Sequence, residues 1–130
     1  MALDTTEGTK YEKTSVQPHT FSWLSANLPK LDTQKPTVVF THFPMGTEVK
    51  YRPANADRVL ESFKAFNLQA VFCGHFHGFT ERKFEKAPVY TNRCCALKRT
   101  NHDKTKEKGF FVCEAAENRV TVRFVEIVSS

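Results

Sequence analysis

Long apolar runs are missing from this sequence. Its longest, Thr37-Val38-Val39-Phe40 and Ala70-Val71-Phe72-Cys73, fall far short of the roughly 20 residues that a membrane-spanning helix needs, so a transmembrane helix is excluded. Residues 1–15 alternate acid, base and hydroxyl and lack the apolar stretch of a secretory signal, which makes a cytoplasmic location the expectation. No CxxC spacing occurs among Cys73, Cys94, Cys95 and Cys113, and the adjacent pair Cys94-Cys95 is poorly placed to bridge. Reduced thiols fit that compartment, with buried cysteines serving as small hydrophobes. Internal repeats and low-complexity segments are absent too.

What is present describes a globular chain. Its 130 residues make one domain or part of one. With 40% hydrophobic residues, 25% charged residues and 12 Phe, a buried core is expected. Phe40, Phe63, Phe66, Phe72 and Phe111 fall at strand or helix-face spacing and are read as core rather than as base-stacking platforms, so nucleic acid is not an expected partner. Lys and Arg exceed Asp and Glu by 19 to 14, a net charge of +5, which draws phosphate-bearing ligands towards the surface.

Ala2-Leu3-Asp4 reads as the end of a strand. Pro18 suits the first turn of a helix, and Phe21, Leu24, Leu28 and Leu31 follow at helical spacing, which predicts a helix over about 19–28. Thr37 to Thr41 is apolar on both faces and predicts a strand buried on both sides. A second helix is expected near Asn55, capped by that side chain, with Val59, Leu60, Phe63 and Phe66 on one face. Ala70 to Cys73 is a second apolar strand, completing a βαβ unit. From Phe79 onward an antiparallel tail is expected, with strands over 79–84, 88–91, 110–114 and 119–127. The polar stretch from Lys98 to Lys106 reads as a solvated loop.

The histidines carry the functional signal. A βαβ crossover makes its strands parallel, so both carboxyl ends reach one sheet edge. His42 and His75 each stand just past such an end. Neighbouring strands lie about 4.8 Å apart, close enough for two imidazoles to converge on one cation. His77 follows in a turn flanked by Gly74 and Gly78 and can reach a second cation nearby. A lone histidine after a strand is more often a turn residue; three on one edge favour metal binding.

The segments Val38-Val39-Phe40-Thr41-His42-Phe43-Pro44 and Val71-Phe72-Cys73-Gly74-His75-Phe76-His77-Gly78 resemble the last two motifs of the calcineurin-like metallophosphoesterases, and the resemblance runs from Leu3 to the closing strands. It implies an α/β fold that forms part of a four-layer α/β/β/α sandwich, residues 1–130 being the C-terminal portion of that domain. It implies two divalent metal ions (manganese, iron or zinc), one held by His42 and His75 and the other by His77. The activity implied is hydrolysis of phosphate monoesters or diesters by a metal-bound hydroxide. The loop Arg99-Thr100-Asn101-His102-Asp103 resembles one that some members carry after the glycine-histidine motif, and implies a substrate-side role for Arg99, Asn101 and His102.

The sequence also departs from that family. The three upstream motifs, which supply the carboxylates, an Asn ligand and the histidine thought to protonate the leaving group, have no counterpart before His42. Two divalent cations bring a charge of +4, which neutral imidazoles do not offset, and hydrolytic two-metal sites rely on carboxylates. The catalytic residues are therefore expected outside this chain. The alternative is a non-catalytic metal-binding fragment or oligomerising module. Half a sandwich exposes the face that normally meets the second sheet, so association with a second copy or with an N-terminal half is expected.

Overall fold

A computed structural model describes residues 1–128. The order of elements is α1 (Pro18–Asn27), a 3-10 turn (Leu28–Lys30), β1 (Thr37–Thr41), α2 (Ala56–Glu61), β2 (Leu68–Cys73), β3 (Thr80–Phe84), β4 (Ala87–Thr91), β5 (Gly109–Ala116) and β6 (Arg119–Glu126). The fold is mixed α/β, with one mixed sheet and one small antiparallel sheet. Among the described residues no helix is long and apolar enough to cross a membrane.

The larger sheet runs β1-β2-β4-β3. The β1–β2 and β2–β4 pairs are parallel, while β3 and β4 form an antiparallel hairpin. At the outer side of β1, Ala2 bridges Phe40 in parallel, and Leu3 N–H donates to the Phe40 carbonyl at 2.9 Å. The N-terminal segment thus joins the sheet, and two successive βαβ crossovers step the same way across it. Right-handed connections of this kind deliver α1 and α2 to one face. There Phe21 and Leu24 of α1, Val59 and Leu60 of α2, and Phe63 just beyond it close over Val39, Val71 and Val89 in one buried cluster.

The opposite face differs from expectation. Phe40, Phe72 and Tyr90 stand in register on three neighbouring strands and stack with ring centroids 5.5 and 5.7 Å apart. The β5–β6 hairpin covers only part of this row, through Phe111, 5.3 Å from Tyr90 and 5.9 Å from Phe72. Phe40 is left 51% exposed, so it is not core and β1 is not buried on both sides.

Other local expectations are corrected in the same way. Asn55 makes no side-chain cap on α2; its amide group instead brackets Val16, accepting from the Val16 N–H at 2.8 Å and donating to its carbonyl at 2.9 Å. The tail is not wholly antiparallel, because β4 pairs in parallel with β2. Only Cys73 acts as a buried small hydrophobe; Cys95 and Cys113 are exposed. The 98–106 segment is a loop, as expected, but Asn101 within it is buried.

Candidate metal centre

All the parallel strands end at one sheet edge, which gathers Asp4-Thr5, His42, the turn from Gly74 to Phe79, and Asn92-Arg93. His42 follows β1 directly. Its carbonyl accepts the Gly74 N–H at 2.9 Å, which ties the two strand exits together. Gly74 leaves little room here: an added Cβ would lie 3.3 Å from the His42 carbonyl oxygen. Behind this exit Phe43, Pro44, Met45 and Gly46 are all buried, so the backbone carrying His42 rests on core.

The second strand exit is conformationally unusual. His75 and His77 both hold left-handed backbone, at φ 65° and 53°. A non-glycine residue there costs on the order of 1–3 kcal/mol and persists only where surroundings over-determine it. Five contacts supply that constraint. Phe76 N–H donates to the Gly74 carbonyl at 2.8 Å, and the Gly74–His42 bond fixes the start of the turn. Thr91 Oγ1 donates to the Gly78 carbonyl at 2.6 Å. From outside, His102 N–H donates to the His77 carbonyl at 2.9 Å and the Asp103 carboxylate accepts the Phe79 N–H at 2.6 Å.

His42 and His75 meet directly. His42 Nε2 stands 3.0 Å from His75 Nδ1, and two metal–nitrogen bonds of about 2.0–2.1 Å can span that gap. His75 Nε2 lies 2.7 Å from the Tyr11 carbonyl oxygen, which can only accept, so this nitrogen carries the proton. In the neutral ring, Nδ1 is then the nitrogen with a lone pair, and it is the one that faces His42. A backbone carbonyl that orients the second ring nitrogen is the usual support of a metal-ligating histidine. Phe43 and Tyr51 flank the His75 ring, with centroids 4.5 and 4.9 Å away.

His77 is set apart from that pair and faces His102, with ring centroids 5.7 Å apart. Burial holds the His42 imidazole below its ordinary pKa, helped by the charge of His75. Burial also lowers His77, assisted by His102 and Arg99. Both shifts favour the neutral form that a metal requires. Among the described residues, no group of three or more His, Cys, Asp or Glu side chains is placed to hold a metal ion. The donors present fit part of a coordination shell, two imidazoles with one oriented by a carbonyl, and lack its carboxylates.

Of the substrate-side candidates, Arg99 and His102 are exposed. Asn101 is 5% exposed and its amide is fully engaged within the loop. Its nitrogen donates to the Thr105 and Glu107 carbonyls at 3.0 and 2.7 Å, and its oxygen accepts the Cys94 N–H at 3.0 Å. Two contributors had no signal in the residue pattern. The Tyr11 carbonyl is backbone from a distant turn, and Asp103 acts through contacts that the spacing does not reveal. Compared with described protein families and with curated proteins, the chain matches none.

Proposed function

We propose that this chain supplies the histidine side of a divalent-metal phosphoesterase site of the calcineurin-like type, within a four-layer α/β/β/α sandwich. The observation that carries the reading is the meeting of His42 Nε2 and His75 Nδ1 at 3.0 Å on the carboxyl edge of parallel strands, where open α/β sheets bind ligands. Of the eight non-glycine residues at positive φ among the described residues, His75 and His77 alone share one three-residue turn, which adds support, since strain of this kind clusters at functional sites. His42 and His75 would hold one cation and His77 contact another. Bound cations would acidify water and withdraw charge from a phosphoryl oxygen. This chain's residues orient the imidazoles, favour the neutral form of His42 and His77 and, through exposed Arg99, offer a cation to the phosphate of an ester substrate.

The half-covered aromatic face supports the sandwich, because a second sheet packed there would cover Phe40. The missing carboxylates favour a second reading, a metal-binding fragment without turnover that completes its site by association with a second copy or an N-terminal half. Metal analysis combined with assays on p-nitrophenyl phosphate and its bis ester, with manganese, iron or zinc, on this chain and on the same chain extended upstream, separates the two. Phosphoesterase chemistry predicts turnover that His42→Ala and His75→Ala abolish. Metal uptake without turnover supports the fragment. Absence of uptake, or turnover indifferent to both substitutions, overturns the metal site.

A further inference from the structure

The 98–108 loop is built more firmly than a solvated connection needs. Asn101 and Asp103 sit inside it with their polar atoms satisfied, Asp103 Oδ1 accepting the Thr105 N–H at 2.9 Å and hydroxyl at 2.6 Å. Arg93 flanks the same carboxylate, its Nε 4.0 Å from Oδ2. The loop then closes on the histidine turn through the His102–His77 backbone bond and the Asp103–Phe79 bond. A Cβ added to Gly78 would lie 3.0 Å from the Asp103 nitrogen, so the two segments are in close contact. What this construction presents to solvent beside His77 is one imidazole, that of His102.

We propose that His102 is a metal-binding residue that forms, with His77, a second chelating pair for a divalent transition-metal ion. This rests on the reading of His77 as a ligand. Two imidazoles sharing a cation through nitrogens at about 2.0–2.1 Å, at octahedral to tetrahedral angles, have ring centroids roughly 4.5–5.5 Å apart. The His42–His75 pair stands at 5.0 Å, inside that window, and the His77–His102 pair at 5.7 Å, a gap that a small rotation of the exposed His102 ring closes. The second pair is preorganised: the main chains are hydrogen-bonded to one another, and the Phe76 ring, near-perpendicular to that of His102 with centroids 5.9 Å apart, restricts its swing. Preorganised donors lose less freedom on binding. Imidazole without carboxylate suits zinc, iron, nickel or copper over magnesium or calcium, so the pair selects for the softer ions.

The test titrates the whole chain with cobalt(II) or zinc by calorimetry, while imidazole nitrogen resonances report which rings respond. Wild type, His102→Ala, His102→Gln and His42→Ala are compared, with circular dichroism to check folding. The expected result is two equivalents in wild type, one of which both His102 variants weaken by about tenfold or more, with His77 and His102 resonances shifting together. His42→Ala should weaken the other equivalent. If both His102 variants bind as wild type does, the proposal falls. A single equivalent lost in His42→Ala but retained without His102 overturns the proposal and leaves the His42–His75 reading intact. The converse pattern keeps the proposal and overturns that reading, and no uptake overturns both.

Discussion

On the helix side of the sheet Val39, Val71 and Val89 are 1%, 1% and 2% exposed, whereas on the other side of the same β1 strand Phe40 is 51% exposed. The residues on the two faces are equally apolar. What separates them is the element that each connection delivers. Right-handed crossovers bring two helices to the valine face, and only a two-stranded hairpin reaches the aromatic face, covering it in part, over Tyr90 and Phe72. Burial is thus a property of topology as much as of side-chain chemistry. The histidines lie on the edge common to both faces, where they rest on the well-packed side through Phe43 and Met45.

The sharpest way to break this contrast is to truncate one aromatic side chain on each side. Phe63→Ala, at a position 1% exposed on the helix side, is expected to cost about 3–5 kcal/mol in urea unfolding. Phe40→Ala should cost less than about 1 kcal/mol, because half of the ring already meets water. Equal losses at the two positions would mean that Phe40 is covered in solution by another chain, and the loss at position 40 would then depend on protein concentration.

Much of the helix side was legible in the residue pattern. The apolar strands over 37–41 and 70–73 and the placing of His42 and His75 on one edge follow from runs, breaks and the handedness of crossovers, as does the intervening helix, although it ends at Glu61, before the Phe63 and Phe66 expected on its face. Phe40 was misread because an apolar residue on a strand does not announce whether anything packs above it. Asn55 was misread for a related reason: a capping residue type fits the local sequence, but Val16, 39 residues away in the chain, offered its amide two partners. At the candidate metal centre the pattern singled out the histidines and not what supports them. A backbone carbonyl such as that of Tyr11 leaves no trace in residue type, and left-handed φ at two histidines runs against their intrinsic preference.

Next in size is the clamp that joins the loop to the histidine turn. Asp103→Ala removes acceptors for Phe79 N–H and for both donors of Thr105. Hydrogen bonds to a charged group are worth about 1.5–3 kcal/mol, and a loss of about 2 kcal/mol is expected by denaturant unfolding. Amide exchange at Phe79, His102 and Thr105 should accelerate, while exchange in β1 slows or speeds only with global stability. Unchanged protection at Phe79 would show that the loop does not hold the turn. Asp103→Asn keeps the shape and one acceptor, so its effect should fall between wild type and Ala.

The smallest expected effect has the opposite sign. His77 stands at φ 53°, where glycine is unstrained and any side chain is not. His77→Gly relieves that strain but adds freedom to the unfolded chain, and the two together predict a stability unchanged or raised by up to about 1 kcal/mol. His42, outside the left-handed positions, is the control: His42→Gly should cost about 0.5–1 kcal/mol. His77→Ala keeps the strained backbone without the imidazole, and so distinguishes relief of strain from loss of the ring. A turn held in place for its histidine gives His77→Gly a melting temperature at or above that of His77→Ala and weaker metal uptake than wild type in both. Should His77→Gly instead destabilise as much as His42→Gly, the left-handed turn is not under strain, and the support it lends to a functional reading of His75 and His77 disappears.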